Sequence, residues 1–273
     1  MAIRITRAIG IVVALGLAPA RAAELPIFDA HIHYSHDAVQ YLPPDKALAL
    51  LREAGLRRAM VSSSDDDGTQ KLHALAPELI IPSLRPYRKR GDVGTWTRDP
   101  GIVEYLEARL AKYKYRALGE FHVYGADADQ PVVRRAIELA KQHQLFLHAH
   151  SDAEAIHRLF AQDPGARILW AHSGFEQPAA LRPMLQKYPK LWCDLAFRHD
   201  HASGSALDPA WRALFEEFPD RFMLGTDTFV PERWHVIGET AQFSRGWLAT
   251  LPSPLAEKIA WRNGDALFAT IGP

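Results

Sequence analysis

Eight short apolar runs, at residues 26–32, 57–62, 79–84, 115–121, 144–149, 167–172, 190–196 and 221–226, recur along the chain with amphipathic segments between them. Strand-length runs that are apolar without clean alternation suit strands covered on both faces, the condition of a parallel sheet. The intervening segments carry helix punctuation. Ala47, Leu48, Leu50 and Leu51 share one side of residues 45–54, and Gly55 stops that helix. Pro131 occupies a first-turn position ahead of residues 132–143, and Asp152 is placed to cap residues 153–161. Gln177-Pro178 and Asp208-Pro209 open residues 179–188 and 210–218 in the same way. Eight strand–helix units in series predict an α/β architecture, a single-domain (β/α)8 TIM barrel. The competing open, doubly wound sheet would carry a Gly-rich turn after its first strand, and no G-x-G-x-x-G follows residues 26–32. Irregular insertions are expected at residues 85–100 and 197–207, both leaving the C-terminal ends of strands.

Residues 1–23 are set apart from this pattern. Arg4 and Arg7 precede an apolar stretch at 9–17 and a small-x-small sequence, Ala20-Arg21-Ala22. This is the form of a secretory signal peptide, the alternative being an uncleaved anchor. The domain is then residues 24–273, delivered to the periplasm, with no membrane insertion after leader removal. No other stretch approaches the roughly 20 apolar residues of a spanning helix. Lys+Arg and Asp+Glu stand at 32 each, so no bulk charge argues for nucleic acid or a membrane surface; the expected partner is a small-molecule substrate, with no nucleic acid. Cys193 is the only cysteine. It allows no intrachain disulfide, and within Leu191-Trp192-Cys193-Asp194-Leu195 it reads as a small buried apolar residue.

The chemistry gathers at the ends of the apolar runs. His31 and His33 end the first, and as i and i+2 on an extended segment they project to one side. Glu120, His148, His172 and Asp227 end, or nearly end, the fourth, fifth, sixth and eighth. Taken singly, a histidine after an apolar run is ordinarily a hydrogen-bonded structural group, and an aspartate before a loop a cap or turn residue. Jointly they ring one mouth if the strands close into a barrel. Imidazoles and carboxylates suit a divalent ion: zinc, or manganese, iron or cobalt. The set has enough donors for one ion with open positions or for two ions. His150 competes with His148 for the fifth-strand position, and aligning Leu145-Phe146-Leu147 with the strand favours His148. His122 competes similarly with Glu120. His36, His73, His143, His157, His199, His201 and His235 fall in helices or loops and read as solvated.

The motifs Phe28-Asp29-Ala30-His31-Ile32-His33, Trp170-Ala171-His172-Ser173-Gly174 and Gly225-Thr226-Asp227, together with His148, resemble the amidohydrolase superfamily. The resemblance is closest to its amidohydrolase-related branch of metal-dependent hydrolases and aromatic-acid decarboxylases. It extends over the mature chain to Arg262-Asn263-Gly264-Asp265-Ala266-Leu267-Phe268. It implies that His31, His33 and Asp227 bind one metal ion and that His148 and His172 bind a second. Glu120 would be the bridge, as in TatD-type enzymes, which favours two ions and counts against decarboxylation. The implied reaction is attack by metal-activated water on an ester, lactone or amide-like bond, with Asp227 moving the proton and His172 at the metal or the electrophilic oxygen. Decarboxylation of an aromatic acid and a non-catalytic periplasmic metal- or ligand-binding barrel are the alternatives. Arg85, Arg88 and Arg198, in or beside the two insertions, are candidate contacts for an anionic substrate. Trp96 and Trp234 are candidate pocket walls or packing anchors.

Overall fold

The structure, a computed structural model, describes residues 24–268; the expected leader lies outside the described residues. Strands β1 (Ile27–His33), β2 (Leu56–Ser62), β3 (Ile80–Leu84), β4 (Ala117–His122), β5 (Phe146–His150), β6 (Ile168–Trp170) and β7 (Leu191–Asp194) pair in chain order, each neighbour parallel. A small antiparallel hairpin follows, β8 (Ala202–Ser203) with β9 (Ala206–Leu207). The last barrel strand, β10 (Phe222–Met223), pairs with β7. The ring closes where Ala30 N donates to the Leu224 carbonyl at 2.9 Å and Asp227 N to the His31 carbonyl at 2.7 Å. The architecture is a (β/α)8 barrel, not an open sheet.

The helices begin where their signals stand. Pro44–Glu53, Pro131–Gln142, Pro178–Lys187 and Pro209–Glu217 each carry proline in the first turn. The Asp152 carboxylate accepts from Ala155 N at 2.8 Å and so caps Ala153–Gln162. Ile27, Ile32, Ala59, Val61, Leu147 and Cys193 belong to the large core between strands and helices. A separate layer fills the barrel floor: Phe28, Ala30, Met60, Ile81, Ala117, Phe146, Leu169 and Met223, with Trp192 packed against it. Phe268 plugs this floor, stacked on Phe28 at 5.7 Å and tilted against Phe146 at 4.7 Å. Such a filled floor leaves only the opposite, C-terminal rim for a site.

Two strands change phase on the way from floor to rim. In β1, Phe28 and Ala30 face the interior, yet so do His31 and His33 above them; the β1–β2 ladder shifts register between Asp29 and Ile32. In β4, Ala117 and Glu120 both face inward, and the β4–β5 ladder shifts between Gly119 and Phe121. Strict alternation would place only one parity inside, so each slip is what turns a rim side chain inward. Gly119 makes the second possible. Its φ is +131°, and a Cβ there would lie 2.1 Å from the His148 carbonyl oxygen. Strand β5 keeps phase, so Phe146, His148 and His150 all point inward at rising height.

Candidate metal centre

His31, His33, Glu120, His172 and Asp227 meet at the C-terminal rim, all buried. His31 Nε2 and His33 Nε2 lie 3.1 Å apart, and Asp227 Oδ1 is 3.8 Å from the first and 3.4 Å from the second. Donors around a tetrahedral ion with ligand distances of about 2.1 Å sit about 3.4 Å from one another. Asp227 Oδ1 is buried and accepts no hydrogen bond, the condition of a carboxylate oxygen whose partner is a cation. Its backbone has φ +54°.

The other face of each imidazole is occupied by protein. His31 Nδ1 lies 3.2 Å from Asp194 Oδ2, His172 Nδ1 lies 2.8 Å from the Ala196 carbonyl, and His33 Nδ1 lies 3.0 Å from Ser62 Oγ and 3.3 Å from the Ser62 carbonyl. In the neutral imidazole these neighbours favour the proton on Nδ1 and aim Nε2 at the rim, the orientation of metal-ligating histidines. Thr228 Oγ1 and the Trp234 indole pin the His33 backbone, and Trp96 Nε1 donates to the His122 carbonyl at 2.7 Å. Both tryptophans are fully buried packing anchors outside the cavity wall.

A second group lies beside the first. Glu120 Oε1 is 2.8 Å from His150 Nδ1, 3.6 Å from His172 Nε2 and 3.5 Å from His31 Nε2, while Oε2 is 3.3 Å from His33 Nε2. Glu120 thus touches both sets. The fifth-strand residue in this cluster is His150. His148, which the sequence favoured, sits one layer deeper with Nε2 2.9 Å from Asp194 Oδ2. The reason is height along the barrel: both share the inward parity, and only the upper one reaches the rim.

Asp194 is a further rim residue that the run ends do not single out; it keeps phase with inward-facing Trp192 and ends β7. It is fully buried, contacts His31 and His148, and accepts from the backbone N–H groups of His172 and Ala196. Burial opposes its charge, but the His31 and His148 contacts outweigh this and hold its pKa far below the ordinary carboxylate value. Burial likewise opposes the His31 imidazolium, yet Asp194, Glu120 and Asp227 together push its pKa well above 6.5. Burial and the Arg85 guanidinium lower His33 to about 4, leaving it a neutral donor.

These groups open into a cavity of about 330 Å³ that Glu120, His122, His150, His172 and Asp227 line. The expected substrate arginines are distributed otherwise. Arg85 lines the cavity but is spent on Glu120, Nη2 to Oε2 at 2.7 Å. Arg88 pairs with Asp92 and Asp99, and Arg198 with Asp200 and the His172 carbonyl; neither lines the cavity. Arg90 does, and pairs with Asp37 at 2.9 Å. Of the histidines read as solvated, His36 is exposed at the cavity mouth, whereas His201 is buried against Trp211, Phe243 and Trp247.

The amidohydrolase family model matches residues 28–269. The chain belongs to the amidohydrolase family. As an amidohydrolase-type enzyme it shares its fold with distant solved structures. One is an amidohydrolase from Burkholderia multivorans with bound zinc, 16% identical, covering 89% of this chain and 99% of that one at a TM-score of 0.60. Another is a provisionally assigned 2-pyrone-4,6-dicarboxylic acid hydrolase from Pseudomonas putida, 16% identical, covering 91% and 99% at 0.58. A third is a TatD homologue from Escherichia coli, 17% identical, covering 90% and 98% at 0.59. No curated protein matches the chain.

Proposed function

We propose that this amidohydrolase is a metal-dependent hydrolase of an ester, lactone or amide-like bond in a small molecule, and that the rim holds two ions. His31, His33 and Asp227 would hold one, His150 and His172 the other, with Glu120 between them. The carrying observation is the orphaned Asp227 Oδ1 set against the Nε2 atoms of His31 and His33. The zinc in the Burkholderia neighbour agrees with this reading. When bound, such ions supply Lewis acidity toward a carbonyl oxygen and make water acidic enough to attack near neutral pH. Asp227, facing the cavity, is the residue to take the proton from that water and pass it to the leaving group. Asp194 orients His31 and His148 from below, and Arg85 fixes the Glu120 carboxylate. The anionic substrate expected from the arginines has little behind it, since Arg85, Arg88, Arg90 and Arg198 are each paired with a carboxylate.

The test is a panel of lactones, aryl and alkyl esters and N-acyl compounds, followed by acid release and by CO2 release. Acid release lost in Asp227→Asn supports the proposal. CO2 without hydrolysis establishes the decarboxylase instead, and bound metal with no turnover establishes a binding protein. We further propose export to the periplasm, on the strength of the leader pattern at residues 1–23. Mass spectrometry of the exported chain should give a mature N-terminus near residue 24; an intact Met1 would contradict it.

A further inference from the structure

Three phenylalanines stand at the cavity rim: Phe175 is 50% exposed, Phe197 40% and Phe229 44%. They are half of the large exposed apolar side chains among the described residues, and all three share one cavity. Scattered exposed aromatics need no explanation, but a cluster lining a concave site does. Two of them also carry a backbone penalty. Phe175 and Phe197 both have φ +56°, a region unfavourable for a bulky side chain and retained mainly where function uses the conformation. Neither recovers this cost by burial within the fold.

The rings are fixed against the candidate chemistry. Phe175 lies parallel on His172 at 4.7 Å, and Phe229 meets Phe197 edge-on at 5.7 Å. The Arg233 guanidinium lies 4.8 Å from the Phe197 ring and 5.6 Å from the Phe229 ring, while donating to the carbonyls of Asp227 and Thr226. One arginine thereby ties two aromatic walls to the backbone of the proton-transfer residue. The facing arginines are paired with carboxylates, so the wall offers flat apolar surface before it offers charge.

We propose that the substrate carries a planar aryl group that packs against Phe175, Phe197 and Phe229 while its carbonyl faces Glu120, His172 and Asp227: an aryl-fused or aryl-substituted lactone or ester. This rests on the hydrolase reading of the site. The test compares dihydrocoumarin with δ-valerolactone as substrates, and 1-tetralone with cyclohexanone as non-hydrolysable ligands, in the wild type, Phe229→Ala, Phe197→Ala and Phe229→Leu. The leucine variant keeps apolar bulk and loses the flat face, and serves if an alanine variant fails to fold. Each alanine change should lower kcat/KM for dihydrocoumarin and affinity for 1-tetralone by about fivefold more than for the aliphatic partner. Equal losses on both members of each pair would overturn the proposal while leaving hydrolysis intact. Selective loss of 1-tetralone binding in a protein that turns over neither lactone would keep the aryl site and remove the hydrolase reading.

Discussion

Replacing Gly119 by alanine should damage both stability and the rim. The added Cβ would sit 2.1 Å from the His148 carbonyl oxygen and 2.9 Å from its carbonyl carbon. The struck atoms are β5 backbone, which cannot swing aside as a side chain would. Relieving such overpacking costs about 1–3 kcal/mol, and holding alanine at φ +131° about 1–3 more. We therefore expect a loss of about 4 kcal/mol, which for a chain of this size lowers Tm by about 8–16 °C. The β4–β5 shift that turns Glu120 inward is disturbed at the same point, so metal retention should fall with stability. Gly204→Ala is the control: it has φ +58° with nothing within 4 Å of the new Cβ, and should cost only the backbone share, about 1 kcal/mol. Scanning calorimetry and urea unfolding read both. A Gly119→Ala protein melting within about 2 °C of wild type would refute the argument from the phase slip.

Two further outcomes follow from the buried charges. Asp194→Ala leaves His31, His148 and two backbone N–H groups without their acceptor, and should cost about 3–5 kcal/mol in urea unfolding; a smaller loss than about 1 kcal/mol would show that Asp194 is not the hub described. The Asp200 carboxylate, against the Arg198 guanidinium, has its pKa lowered from 3.8 to about 2 despite some burial. A depressed acid stabilises the fold above its unfolded pKa and loses that contribution as pH falls through the folded one. Discounted for its exposure, Asp200→Asn should cost about 1 kcal/mol at pH 7 and nothing by about pH 1. A penalty that persists unchanged in acid would contradict the pairing.

The barrel was legible in the sequence because strand length, Pro at helix starts and Asp152 as a cap are local signals that the tertiary structure did not override. His31, His33, Glu120, His172 and Asp227 were legible for the same reason: each follows core residues at a strand end. The choice between His148 and His150 was not. It depends on how far up the barrel a strand reaches, a matter of register between neighbours. The pairing of the arginines was not legible, because a cluster of positive charge in sequence says nothing of its partners. Asp92, Asp99, Asp200 and Glu120 reach Arg88, Arg198 and Arg85 only in the fold. Asp194 carries a readable signal, its alternation with Trp192, but its place inside an apolar run ending two residues later masks it.

The proposed chemistry depends on a catalytic cation at the rim of this barrel. Elemental analysis of the purified chain, paired with activity before and after EDTA, addresses it directly. At least about one equivalent of zinc, manganese, iron or cobalt per chain is expected, with turnover lost on chelation and restored by the same ion. A chain free of transition metal and equally active in EDTA would contradict it.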